Sequence, residues 1–273
     1  MAEQLAADAA EFVRRRRAEI FVDGPDAIAA GAVQTKSTPT DPVTVVDTET
    51  EQLLRDRLAQ LRPGEQILGE EGGGPAALVD GGVCWVLDPI DGTVNFLYGI
   101  PAYAISVAAQ IDGVSVAGAV ADVVGGLVYS AAVGLGAHVV HQGVRARLHC
   151  SGADALSMAL VGTGFGYDAQ RRALQAALLA RILPVVRDVR RIGSAALDLC
   201  MVAAGRLDGH YEHGLNVWDW AAGALIATEA GALVVLPEPA DDERAGLLVA
   251  AAPGVAAALL DTLDRCGGLQ PLP

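Results

Sequence analysis

Apolar positions recur at helical spacing from the first residues. Leu5, Ala9, Phe12, Val13 and Ile20 fall near one face of a stretch that predicts a helix over residues 3–19. The arginine run Arg14–Arg17 reads as its solvated end, where cations suit the helix dipole. A polar "TKSTPTDPVT" loop follows, then a helix from Thr48 to Leu61 whose entry, Asp47 to Glu51, is rich in carboxylates. "QILGEE" and "VCWVLDPI" read as strands. From Tyr103 to Cys150 short apolar runs broken by Asp112-Gly113 and Gly125-Gly126 predict a β-meander.

The second half alternates. Its pattern predicts a strand over 158–163, helices over 168–183 and 193–204, a strand over 207–212 and a helix over 218–230. Short strands and a last helix near 255–265 complete it. We expect an α/β protein of two intimately packed lobes, residues 1–150 and 151–273, forming one inseparable unit.

Composition narrows the function. The 273 residues include enough apolar ones for a real core, yet no apolar run reaches the roughly 20 residues of a membrane span. The N-terminus places its charges after its apolar positions, the reverse of a secretory leader, so a soluble, cytoplasmic protein is expected. The net charge of −14 argues against nucleic acid as a partner. The cysteines Cys84, Cys150, Cys200 and Cys266 are scattered singly, as reduced thiols in apolar surroundings are.

Acidic residues collect where elements end: Asp47, Glu70, Asp88, Asp91 and Asp219. Asp88-Pro89-Ile90-Asp91 suits a tight turn that aims two carboxylates and the Ile90 carbonyl at one point. All-oxygen ligands favour Mg²⁺, Mn²⁺ or Ca²⁺ over zinc, although the aspartates alone could simply cap turn amides. Gly92-Thr93 next to them can offer bare N–H groups to a phosphate. "DGTV" also ends a signature in which an aspartate two residues earlier is the nucleophile. Pro89 occupies that position here and excludes a covalent aspartyl-phosphate.

Taken together, "TDPVTVVD" (40–47), "GEE" (69–71), "WVLDPIDGTVNF" (85–96), "IGSAALDLCMVAAGRLDGHYE" (192–212) and "WDWAAGALIATEAG" (218–231) resemble the inositol monophosphatases, a family of Mg²⁺-dependent, lithium-sensitive phosphatases. The resemblance implies a layered αβαβα sandwich. It implies that Glu70, Asp88, the Ile90 carbonyl, Asp91 and Asp219 hold two or three Mg²⁺ ions, with Mn²⁺ as a substitute and Li⁺ as an inhibitor. Asp47 and Thr93, with Glu70, would activate the attacking water. The Gly92 and Thr93 amides would cradle phosphate, while Asp91, Ala195, Glu212 and Asp219, with Arg190 nearby, would line the inositol ring. Lys36 would sit in a flap, and the enzyme would be a homodimer acting on a small phosphorylated polyol.

Rival substrates are fructose 1,6-bisphosphate, histidinol phosphate and 3′-phosphoadenosine-5′-phosphate; a rival of another class is a non-catalytic regulatory protein. Glu212 favours a neutral polyhydroxy ring over a second phosphate, which it would repel. "LVGTGFG" (160–166) is GxGxG rather than GxGxxG and reads as a packing turn, not a dinucleotide site. His210 and His213 point to opposite faces of a strand and read as packing or surface residues. Trp218 and Trp220 flank Asp219 and read as supports for its side chain.

Overall fold

The computed structural model describes residues 1–21, 33–35, 42–75, 79–237 and 246–272. The Lys36 flap expected from the sequence lies outside the described residues.

The first half runs α1 (Ala2–Ile20), β1 (Val33–Thr35), β2 (Pro42–Thr44), α2 (Val45–Leu61), β3 (Gln66–Gly69), β4 (Val83–Asp91) and α3 (Thr93–Tyr98). The meander follows as β5 (Ala104–Ile111), β6 (Val114–Asp122), β7 (Leu127–Ala132), β8 (Ala137–His141) and β9 (Val144–Arg147). The second half comprises β10 (Leu160–Thr163), α4 (Ala169–Ile182), β11 (Asp188–Arg190), α5 (Ala195–Ala203) and β12 (Gly209–His213). It ends with α6 (Val217–Glu229), β13 (Leu233–Val235), β14 (Leu247–Ala251) and α7 (Pro253–Arg265).

Among the described residues there are two sheets besides the β1–β2 ribbon. Seven strands pair in chain order from β3 to β9, all antiparallel except β3 with β4. Five strands form the other, ordered β11-β10-β12-β14-β13, with β10 parallel to both of its neighbours. Strand alternation explains the layering. Along β4, Trp85 and Leu87 enter a core with α1 and α2, whereas Val86 enters the core that holds α5 and α6. Tyr211 and Val249 of the five-stranded sheet face a third core with Leu178 of α4 and Leu259 of α7. Helices therefore cover both sheets on both faces, giving five layers, αβαβα. This is why β4 reads as a continuous apolar run rather than an alternating one.

Two local expectations are corrected. DPID is not a turn: β4 continues to Asp91, and its pairing with β5 shifts register between Asp88 and Asp91. A bulge there removes the need for a Pro89 N–H and re-aims the side chains on either side. The arginine run is not simply solvated. Arg14 Nη1 donates to the Val123 carbonyl at 2.9 Å, Arg16 pairs with Glu49 at 2.7 Å, and Arg17 donates to the Phe96 carbonyl at 3.2 Å. Arg17 also stacks over the rings of Phe21 and Phe96.

Candidate active site

Five acidic side chains are delivered by the ends of four elements, and the fold brings those ends together. Thr44 caps α2, and Asp47, its third residue, returns the favour: Asp47 Oδ2 accepts from the Thr44 amide at 3.0 Å and from the Thr44 hydroxyl. The other oxygen, Oδ1, accepts from the Thr93 hydroxyl at 3.1 Å, and the same hydroxyl lies 3.1 Å from the Ile90 carbonyl. Asp219 repeats this arrangement as the third residue of α6, where its Oδ2 accepts from the Asn216 amide at 2.6 Å. Capping fixes one oxygen of each carboxylate and leaves the second for the site.

At the bulged end of β4, Asp88 Oδ1 accepts from the Ile90 amide at 3.0 Å. Asp91 Oδ2 accepts from the Ser194 hydroxyl at 2.6 Å and the Ala196 amide at 2.7 Å, so the start of α5 grips it. Gly92 then turns the chain with φ of 98°, a left-handed conformation natural to glycine. A Cβ there would meet the carbonyls of Ala102 and Gly193 at 3.0 Å. Asn95, on α3, donates to the Ala102 and Ile192 carbonyls at 2.7 and 2.9 Å, tying the strand exit to the loop before α5. Glu70 follows β3, its amide donating to the Leu87 carbonyl at 3.2 Å.

Ligand oxygens from Asp88, Asp91 and Asp219 lie within 4.8 Å of one another. Burial pushes Asp88 well above the usual carboxylate range, and the charges of Glu70, Asp91 and Asp219 push it further. Asp219 is raised likewise, first by burial and then by Glu70 and Asp91. Burial lifts Asp91 to about 7 despite its bonds to Ser194 and Ala196. Asp47 also rises to about 7, through burial, against Thr44 and with help from Glu70 and Glu71. A buried group of oxygen donors that raise one another's pKa values fits a hard divalent cation, whose charge would relieve that repulsion.

A cavity of about 540 Å³ opens over these residues, within the size range of small-molecule sites. Glu70, Asp88, Ile90, Asp91, Gly92 and Thr93 line its floor, with Asp219 beside them. Ala195 and Glu212 line it, whereas Arg190 does not. Arg190 lies on β11 and pairs with Asp188 at 2.6 Å, while the neighbouring Arg191 reaches the cavity. The "LVGTGFG" segment has no helix directly after its strand; Phe165 and Gly166 instead form part of the cavity wall. Trp218 is also in the wall, and its carbonyl accepts from Ser106 at 3.2 Å. The histidines do face opposite ways, and both are buried: His213 Nε2 lies 2.8 Å from the Gly268 carbonyl, whereas His210 points towards Asp198 and Glu212.

Ser194, Asn95 and Arg191 escape a sequence reading. Ser194 carries a helix-cap signal in "GSAA", but nothing local says that it also holds Asp91.

Residues 1–266 match the family model described as the inositol monophosphatase family. The inositol-1-monophosphatase of Mycobacterium leprae is 70% identical, with 100% of this chain and 95% of the relative covered. The Mycobacterium tuberculosis inositol-1-monophosphatase SuhB is 65% identical over the same shares of the two chains. The solved structure of Mycobacterium tuberculosis SuhB superimposes with a TM-score of 0.82 at 60% identity, covering 98% of this chain and 96% of that one.

Proposed function

The chain belongs to the inositol monophosphatase family, and from that premise we propose that it is a Mg²⁺-dependent phosphomonoesterase releasing inositol and phosphate from myo-inositol 1-phosphate and related small polyol monophosphates. The observation that carries this reading is the Asp47–Thr93 hydrogen bond of 3.1 Å standing beside the converged carboxylates in one cavity.

Glu70, Asp88, the Ile90 carbonyl, Asp91 and Asp219 are the residues that would hold two or three Mg²⁺ ions. Bound there, the metal supplies Lewis acidity toward phosphate oxygens and lowers the pKa of water. Thr93 orients the attacking water through its hydroxyl, and Asp47 receives the proton. Pro89 leaves no side-chain nucleophile between the aspartates, so phosphate passes directly to water. The Gly92 and Thr93 amides hold the phosphate at the entry of α3, and Ala195 leaves room for the ring. Glu212 accepts hydrogen bonds from ring hydroxyls, and its charge opposes a second phosphate on the substrate. Arg191, with Arg171, supplies positive charge at the cavity wall, which the adjacent Arg190 does not line. Mn²⁺ substitution, Li⁺ inhibition, a homodimer and a cytoplasmic location complete the proposal.

A phosphate-release panel tests it: myo-inositol 1-phosphate, fructose 1,6-bisphosphate, histidinol phosphate and 3′-phosphoadenosine-5′-phosphate, each with Mg²⁺ and with chelator. The highest kcat/KM is expected on inositol 1-phosphate, in Mg²⁺ only. A clear preference for either bisphosphate would overturn the substrate assignment.

A further inference from the structure

Behind Glu212 lies a second row of titratable groups that the reaction does not use directly. On β12, His210 and Glu212 are two residues apart and so share one face, opposite Tyr211 and His213. That face looks toward α5, which contributes Asp198. His210 Nε2 stands 3.5 Å from Glu212 Oε2, and His210 Nδ1 stands 4.0 Å from Asp198 Oδ2. His210 and Asp198 are buried at 0% and 1% exposure, while Glu212 reaches the cavity. Both imidazole nitrogens and Asp198 Oδ1 lack a hydrogen-bond partner among the described residues. Such a row costs several kcal/mol of desolvation unless its members interact with one another.

The strand beside β12 is shaped for this row. Gly162 on β10 pairs with His210 in parallel register, and a Cβ at Gly162 would lie 2.9 Å from both Asp198 Oδ1 and His210 Nδ1. A Cβ at Gly164 would lie 2.0 to 2.2 Å from the Glu212 carboxyl group. The GxGxG segment that mimics a nucleotide fingerprint is therefore a bare backbone floor. Its alternate glycines let three polar side chains lie in line from the core to the cavity.

We infer that His210, facing Asp198 at 4.0 Å, is a positioning residue whose Nε2, 3.5 Å from Glu212 Oε2, draws that carboxylate into place toward the polyol, so that the Asp198–His210 pair sets selectivity for hydroxyl-rich leaving groups. The Glu212 carboxyl group packs against the bare backbone at Gly164, which offers it no side-chain partner. A buried imidazole between two carboxylates is a natural donor: burial lowers its pKa, but Asp198 and Glu212 outweigh this and hold it above its ordinary value. A carboxylate oriented by a histidine, itself oriented by a second carboxylate, is geometrically defined in a way that a lone flexible Glu is not. The inference rests on the proposed reading of Glu212 as a ring contact and extends it two residues inward.

The test compares myo-inositol 1-phosphate with p-nitrophenyl phosphate, whose leaving group has no neighbouring hydroxyls. His210→Phe is expected to lower kcat/KM about tenfold on the inositol ester, chiefly through KM, and less than about threefold on the aryl ester, as loss of one charged hydrogen bond implies. His210→Gln, which keeps an N–H donor and a polar side chain in the same place, should recover most of the selectivity. Adding Glu212→Gln to His210→Phe should cost little more than either change alone, because both disable one contact. Mg²⁺ midpoints should not move in either variant. Equal losses on the two esters, or additive losses in the double variant, would overturn the role of His210 while leaving the proposed function intact. A wild-type enzyme that hydrolyses the aryl ester but not the inositol ester would overturn the substrate reading and this inference with it.

Discussion

Glu51 offers a sharp test of how the site is built, because it touches none of the proposed ligands yet braces one of them. It sits in the second turn of α2 at 2% exposure. Its carboxylate accepts from the Glu71 amide at 2.7 Å, the Gly72 amide at 2.8 Å and Arg55 Nε at 2.7 Å. Arg55 in turn donates to the Gly73 carbonyl at 2.6 Å. This strap fixes the turn that starts at Glu70. Glu51→Ala leaves two backbone donors and a guanidinium without their acceptor. At about 1–3 kcal/mol for each unmet buried donor, with part recovered by water at the turn's open side, the loss should come to about 3 kcal/mol. For a chain of this size that lowers the Tm by roughly 6 °C, measured by circular dichroism without added metal. Glu51→Gln can keep its amide oxygen for the Gly72 and Arg55 donors and turns an NH₂ only toward the Glu71 amide, so it should lose about a third as much. In both variants the Mg²⁺ concentration giving half-maximal phosphate release should rise, because Glu70 is no longer held. An Ala variant with unchanged Tm and unchanged Mg²⁺ midpoint would refute the strap.

Thr93→Val removes the hydroxyl between Asp47 and the Ile90 carbonyl at nearly constant shape. Phosphate-release kinetics should show kcat down about 10²–10³-fold with KM little changed, and Thr93→Ser should restore most of it. The metal-free protein should lose stability as pH rises. Asp47 and Asp91, with folded values of about 7, keep protons that unfolded carboxylates have lost, so stability falls as pH rises from about 4 through 7; Asp88 and Asp219, raised by burial and their acidic neighbours, act in the same direction. Mg²⁺ competes with those protons, so melting curves should show it raising the Tm more at pH 8 than at pH 5; an equal rise at both would contradict the assignment. Gly164→Ala should weaken inositol phosphate turnover more than p-nitrophenyl phosphate turnover in paired assays, because the new methyl displaces Glu212.

The helices and the meander were legible because their apolar spacing is strong and uninterrupted, and the acidic set because each member lies at or near the start or end of an element. What the pattern missed has physical causes. β11 is three residues long and two of them are charged, so it carries no periodic signal, and without it Arg190 and Arg191 cannot be assigned to opposite sides. DPID suggested a turn because its composition is that of a turn; only pairing with β5 shows that the strand absorbs Pro89 in a bulge. Helix α2 begins three residues earlier than its acidic run suggested, since Thr44 is the cap and Asp47 its reciprocal partner. The grip of Ser194 on Asp91 joins residues 103 apart, and the Thr93–Asp47 bond joins residues 46 apart. Such contacts are properties of the folded layers, not of any window of sequence. The GxGxG segment lacks the spacing of a nucleotide fingerprint, and its role as a floor for Glu212 and His210 emerges only from the pairing of β10 with β12.

The central claim is that the carboxylates at the end of β4 make hydrolysis depend on a divalent cation. Asp88→Asn tests it most directly, since the amide keeps the Oδ1 acceptor for the Ile90 N–H and removes only the charge. Phosphate release from myo-inositol 1-phosphate should be followed across a Mg²⁺ titration for wild type and variant. The variant should melt no lower than wild type without metal, because a buried repulsion has gone, yet release phosphate at roughly a hundredth of the wild-type rate or less. Wild-type turnover by Asp88→Asn, or turnover by either protein that ignores Mg²⁺, would contradict it.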